Sequence, residues 1–385
     1  LDRIEIVDEN TVKFHTKKPV ATLPYWLANA YMLPPKHYST IPLKTLIRNP
    51  VGTGPYRLTE WVKDDHIRME VNEKWWKGNP KVKAALWRPV PEGSARIAEL
   101  ETGGADIVVN IPPDQEMLFS KEKSGPFSIK SISGGRRVYM GIRTDHGPLR
   151  DVRVRRALNY AVDFGVISKQ FLRGQGSRLR SVVNPPNNDP ALASYSFDPE
   201  KAKSLLDEAG LKDTNGDGVR EVDGKPFVLK ANVPLNRYLK GKEISEAVAS
   251  NFREIGVNME IIPLEWSVFL AKRRKKELEA LYYHGFSSAF EPELDLGVLR
   301  PTLFANLTAW KNPEFIEGYS RMRYTFDPGE RKALSFRLQR IIHEEAPWVF
   351  LWAQKDFYGL HDRIRWVPRP DERIYLPSVE FKETK

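Results

Sequence analysis

Residues His284 to Glu291 gather side chains suited to holding a small molecule. They comprise the rings of His284, Phe286 and Phe290, the hydroxyls of Ser287 and Ser288, and the carboxylate of Glu291. Rings supply non-polar area and hydroxyls set orientation, a mixture that suits a binding cleft. Tyr139 and Trp266 are expected to lie nearby and complete the lining. Reactive constellations fail on inspection. Cys is absent, which removes thiol nucleophiles, cysteine-ligated zinc and disulfides. His343-Glu344-Glu345-Ala346-Pro347 lacks the second His of a zinc protease helix. There is no Gly-x-Ser-x-Gly elbow. Gly218 and Gly224 are wrongly spaced before Lys225 for a phosphate loop, and Pro226 replaces the needed hydroxyl. No enzyme motif survives this search, and no cofactor is expected.

Two further stretches invite an ion or a polyanion. Asp213, Asn215, Asp217 and Gly218 fit the early positions of a calcium loop. The twelfth position should be a bidentate Glu and is Gly224, with Glu221 or Asp223 as the alternative ligands. A polar turn between helix and strand is the favoured reading, so no metal is expected. Lys272-Arg273-Arg274-Lys275-Lys276 is the best nucleic-acid candidate. It lacks a recognition fold and interleaved aromatics, so a solvated helix end is expected instead.

The elements that position these residues are legible from periodicity. Ile4, Ile6, Val12 and Phe14 alternate about Asp8-Glu9-Asn10, as a hairpin does. Gly52, Gly54 and Pro55 read as a turn, with positive φ available to both glycines. Strands follow on either side of Asp64-Asp65, the second alternating at Ile67, Met69 and Val71. Ser94 is the expected cap of a helix that ends at Gly103-Gly104, before the strand Ala105 to Val109. Val138, Met140 and Ile142 alternate on another strand. Asp151 caps a helix whose Arg153, Arg155 and Arg156 read as a solvated face with local ion pairs. Asp198 and Pro199 open a helix closed by Gly210, and Asp327-Pro328 open another. Helices from Glu243 and after Trp266 alternate with strands at Phe227 to Val233, Val257 to Ile261 and Pro347 to Trp352. This order favours an α/β sheet.

Gly52-Thr53-Gly54-Pro55-Tyr56, then Trp61, then Asn72 ahead of Trp75-Trp76-Lys77-Gly78, carry a resemblance. Together they resemble the signature region of the family 5 extracellular solute-binding proteins, the peptide- and nickel-binding receptors of ABC importers. Pro34-Pro35-Lys36-His37-Tyr38, the run Ala95 to Ile107, and Asp151-x-Arg153-Val154-Arg155-Arg156-Ala157-Leu158-Asn159-Tyr160 continue the match. The resemblance implies an α/β, two-lobed periplasmic-binding-protein-like fold of type II, the dipeptide/oligopeptide-receptor type, with a ligand cleft between lobes. Residues 1–48 would be the remnant of a small N-terminal insertion domain. Residues 49–134 and 355–385 would form a discontinuous first lobe, and 135–354 the second. Hinge strands would lie near Val138–Ile142 and Phe350–Phe357. The N-terminal part of the family, with its signal peptide, would be missing.

Peptide-binding relatives place an Asp three residues after a Gly-Trp pair, to hold the ligand amine. Here Gly285-Phe286 replaces that pair and Ala289 stands at the Asp position, with Glu291 or Glu293 as substitutes. The expected ligand is therefore a peptide or similar small solute, with a modified peptide, sugar or other amphipathic compound ahead of a free dipeptide. Dipeptide-binding relatives also place an Arg in a proline-rich stretch to pair the ligand carboxylate. Arg237, in Pro234-Leu235-Asn236-Arg237-Tyr238, is the nearest match. It is either that anchor or a surface arginine.

Composition fits this reading. Hydrophobic content is 41% and charged content 29%, as in globular proteins. The length of 385 residues suits roughly two to three domains, and no apolar run is long enough to span a bilayer. The net charge of +10 leaves a nucleic-acid or anionic-surface binder as the alternative, with a peptide hydrolase behind it. The expected partners are a small-molecule or peptide ligand and the importer's membrane permease subunits. No nucleic acid is expected, and the protein is expected to be a monomer. It would reside in the periplasm or at the cell surface.

Overall fold

The computed structural model describes residues 1–116, 125–287, 290–301 and 306–382. Two compact units emerge. One comprises Leu1–Leu27 and Gly135–Gln354, the other Ala28–Gly134 and Lys355–Lys385. Residues 1–48, expected to be the remnant of one small domain, are divided between them.

The larger unit is built on a mixed sheet. Its strands run in the order Asn258–Leu264, Val228–Pro234, Leu281–Phe286, Phe127–Ile142 and Trp348–His361, the last two belonging to this unit only from Gly135 onward and up to Gln354. The first three are parallel, and Leu281–Phe286 pairs antiparallel with Phe127–Ile142. Parallel neighbours need crossovers, which the helices Gly241–Glu254 and Trp266–Lys275 provide. Side chains alternate across a strand, and the two faces feed two cores. Val138, Met140, Ile142, Leu281, Tyr283, Val349 and Leu351 join one core. Tyr139, Tyr282, Trp348 and Phe350 join the other. One face of the sheet is thus mainly aliphatic, and the other carries the rings of Tyr139, Tyr282, Trp348 and Phe350.

Helix starts follow the expected chemistry where an Asp is present. Asp151 accepts from Arg153 N at 2.8 Å, Asp198 from Lys201 N at 2.9 Å and Asp327 from Glu330 N at 2.7 Å. Ser94 is not a cap, because the helix Gly93–Glu101 begins one residue earlier. The arginine-rich helix Val152–Tyr160 also departs from expectation. Arg155 is buried and donates to the carbonyls of Leu149, Arg150 and Glu345. It satisfies these backbone carbonyls from inside and pairs with the Glu345 carboxylate at 3.2 Å, where a solvated face was expected. Arg153 does form the local pair with Asp151. On the same helix Asn159 is fully buried. Its Nδ2 donates to Trp348 O at 2.8 Å, and its Oδ1 accepts from Phe350 N at 2.9 Å.

In the smaller unit, Tyr56–Val62, His66–Val71 and Ala84–Trp87 form an antiparallel sheet. Gly52 and Gly54 do not take positive φ; Asp64 (62°) and Gly78 (87°) do. Asn72 holds the Gly-Pro turn instead, donating from Nδ2 to Gly54 O at 2.9 Å and from its backbone to Pro55 O at 2.8 Å. Among the described residues no helix is long and apolar enough to cross a membrane.

Candidate functional site

The strand Leu281–Phe286 presents Tyr282, His284 and Phe286 on the aromatic face. Register then places Tyr139 directly opposite His284 and Arg137 opposite Phe286. Cross-strand neighbours on one face touch, and these do. Tyr139 Oη lies 3.3 Å from His284 Nδ1, with donor and acceptor set by the tautomer. The Arg137 guanidinium stacks 4.1 Å above the Phe286 ring. Trp348 comes in from the next strand and stacks on Tyr139 at 3.5 Å, nearly parallel. Phe286 meets both rings edge-on, at 6.2 and 5.8 Å.

A second layer comes from the helix Trp266–Lys275 and the loop before Gly241–Glu254. Trp266 stacks on Phe269 at 5.5 Å, and Phe269 on His284 at 5.9 Å. Tyr238 stands edge-on to Trp266 and donates to Gly285 O at 3.1 Å. Gly285 is needed here, since a Cβ would sit 2.9 Å from the Tyr238 ring. Arg237 lies 4.9 Å from the Trp266 ring centroid.

The expected site residues therefore fall into two groups. Tyr139 and His284 are packed, each 6% exposed. Trp266, Phe286, Phe290 and Arg237 are half-buried at the rim, and Ser287 is exposed. Ser288 lies outside the described residues, as does Ala289. Phe290 has φ of 60°, and its carbonyl accepts from Asn187 Nδ2 at 2.9 Å. Its ring edge and Ser287 Oγ close over Gly135. Glu291 accepts from Arg331 at 2.6 Å and from Glu293 N at 3.3 Å, so it caps and pairs within the fold. Glu293, fully buried, accepts from Thr22 at 2.7 Å and from the Tyr319 hydroxyl.

Burial, reinforced by Arg273, Arg136 and Arg237, pushes the His284 imidazole down to about 3. It is neutral at physiological pH. Burial raises the Tyr139 and Tyr238 hydroxyls, which stay protonated. Sequence reasoning missed Trp348, Tyr238, Phe269 and Arg137. The alternation of Trp348 with Val349 was a signal for the first; nothing local marked the others.

The polar turn after Gly210 brings carboxylate oxygens of Asp213, Asp217 and Glu221 within 4.8 Å of one another. These oxygens already accept backbone N–H groups: Asp213 from Gly216 and Gly218, Asp217 from Val219, and Glu221 from Thr214.

A family model described as bacterial extracellular solute-binding proteins, family 5 Middle, matches residues 1–299. The chain belongs to this family. This family 5 protein is 26% identical over 397 residues to the dipeptide-binding protein of Escherichia coli strain K12, covering 99% of the chain and 72% of that relative. It is 27% identical to heme-binding protein A of Haemophilus influenzae, with 99% and 70% covered. Among solved structures, the oligopeptide-binding protein AppA of Bacillus subtilis, in complex with a nonapeptide, superposes with a TM-score of 0.88. That pair is 22% identical, with 99% of this chain and 78% of that one covered, and the likeness establishes the fold as the peptide-receptor α/β type. The family is one of extracellular solute-binding proteins, and the role of this family 5 chain is solute binding.

Proposed function

We propose that this protein captures a small solute, a peptide or a compound of similar size, and delivers it to the membrane permease of an ABC importer. It works in the periplasm or at the cell surface as a monomer, without turnover of its ligand, without a cofactor or metal, and without a nucleic-acid partner. The observation that carries this is the aromatic face of the larger unit. Packed Tyr139, His284 and Trp348 support a half-buried rim of Trp266, Phe286 and Arg237. Rigid rings backed by a second layer give non-polar contact at low entropic cost, and the guanidinium beside Trp266 adds a directional group. The relatives named for dipeptides and heme support solute capture as the common thread, with differing cargo.

The test is a thermal-shift screen of peptides, oligosaccharides and metal chelates, followed by Phe286→Ala and Arg237→Ala on any hit. The expected result is one saturable hit, recovered unchanged, whose affinity falls roughly tenfold or more in each variant. Tight binding that ignores both substitutions would refute the site. Conversion of the hit to product would refute the binding role.

A further inference from the structure

A second cavity, of about 500 Å³, lies wholly within the larger unit, between the strand Ser177–Arg178 and the segment from Pro185 to Pro190. That volume suits a small molecule. It shares no lining residue with the aromatic rim. Pro185, Pro186 and Pro190 form one wall. Prolines have a fixed φ and no N–H, so this wall is stiff, apolar and without backbone donors.

No acidic residue lines the cavity among the described residues, whereas Arg178 and Arg180 both do. Arg178 donates to four backbone carbonyls: Phe350 at 3.3 Å, Val162 at 3.0 Å, Tyr195 at 2.9 Å and Asn159 at 2.6 Å. These acceptors fix the guanidinium but carry no charge to balance it. Arg180 is exposed, and its guanidinium has neither a hydrogen bond nor a carboxylate among the described residues. Acids adjacent in sequence are engaged elsewhere. Asp189 pairs with Arg340 at 2.6 Å. Asp163 caps its own helix through Val166 N at 2.9 Å, and Asp198 does the same through Lys201 N at 2.9 Å. The field in the cavity is therefore positive, and an anion placed there offsets it.

Polar groups complete the lining. The hydroxyls of Ser177 and Ser194 have no hydrogen-bond partner among the described residues. Asn188 also lines the cavity, and its Oδ1 is buried without a donor. A buried acceptor left unmade is costly, and a ligand N–H is the group it lacks.

We propose that this cavity is an accessory site for a small organic acid whose carboxylate stands beside an N–H, the chemistry of an N-acylated amino acid. The carboxylate engages Arg180, whose fork suits it, in the field of Arg178. The two serine hydroxyls donate to its oxygens, the N–H meets Asn188, and the apolar side chain lies on the proline wall. A free N-acyl amino acid and the C-terminal residue of a peptide share this chemistry.

The experiment is ligand-observed nuclear magnetic resonance titration of the full chain with N-acetyl-leucine, its neutral amide, 4-methylpentanoate and acetyl-diglycyl-leucine. N-acetyl-leucine is expected to bind at least about tenfold more tightly than its amide, with affinity falling as salt rises. The tighter of N-acetyl-leucine and the longer peptide identifies the source of the acid. Arg180→Gln is expected to weaken the acid roughly tenfold or more and leave the amide unchanged, while Arg180→Lys retains part of the affinity. Ser194→Ala is an independent check, expected to weaken the acid about threefold or more. Thermal unfolding of all three variants separates loss of binding from loss of fold. Binding of the amide as tightly as the acid would overturn the assignment, and so would acid binding that ignores Arg180→Gln. Failure of both acylated acids to bind would overturn it as well. Binding of 4-methylpentanoate as tightly as N-acetyl-leucine would overturn the role given to Asn188.

Discussion

Removing the Asp295 carboxylate should destabilise the larger unit sharply. Arg137 and Asp295 are both fully buried and joined at 2.8 Å. Arg137 sits on the strand opposite Phe286, and Asp295 lies on the short helix Pro292–Leu296. In Asp295→Ala the guanidinium keeps its bond to Gly135 O at 3.0 Å but loses the Asp295 carboxylate. Breaking a buried pair on one side costs about 3–5 kcal/mol, because the remaining charge is left in a medium that cannot solvate it. The backbone N–H of Asn184 loses its acceptor as well, adding about 1 kcal/mol or more. Asp295→Asn keeps an acceptor oxygen and the shape, and should recover part of the loss. Urea unfolding followed by circular dichroism measures the difference as a shift of midpoint at unchanged slope. A change below about 1 kcal/mol for Asp295→Ala would refute the reasoning, since it would mean that the Asp295 carboxylate contributes little to holding the Arg137 charge there.

Other outcomes follow from the same geometry. His284 has a folded pKa of about 3 against an ordinary 6.5, so the unfolded chain binds a proton that the folded one refuses. Its contribution to stability is complete above about pH 6.5 and is lost as pH falls toward 3. His284→Gln should flatten denaturation midpoints across that window, and an unchanged slope would count against burial as the cause. Gly285→Ala places a Cβ 2.9 Å from the Tyr238 ring and should cost roughly 1–3 kcal/mol in thermal unfolding. Gly52→Ala, with open space around it and no positive φ, should be near neutral, and the reverse order would contradict this packing. Calcium titrated into chelator-treated protein should give no sub-micromolar binding at Asp213–Glu221, because the carboxylates already serve backbone donors. Sub-micromolar heats abolished by Asp217→Ala would refute that.

What the sequence carried plainly was local. Asp caps at 151, 198 and 327 need only the next few residues, so they could be read directly. The alternation at Val138 to Ile142 likewise announced its strand. The aromatic character of the site was visible in His284 to Phe290, because those residues are contiguous. Its depth was not. Whether Tyr139 is packed or open depends on Trp348, more than two hundred residues away, and on the sheet order that joins them. Arg155 and Arg273 show the same limit: an arginine reads as solvated until the chain that buries it is in place. The glycines at 52 and 54 misled for a related reason, since Asn72 supplies from a distance the restraint that a left-handed residue would have supplied locally.

Asn159 gives the strand carrying Trp348 a protection that its own sequence lacks. Its side-chain amide donates to Trp348 O and accepts from Phe350 N, the two bonds that a neighbouring strand would make. It acts as a strand one residue long. Exposed backbone edges are templates for pairing with other chains, and here that template is closed by a side chain fixed on a helix. In the folded protein the arginine-rich helix therefore closes the backbone edge beside the hydrophobic run Trp348-Val349-Phe350-Leu351-Trp352, leaving that stretch no free template for another chain.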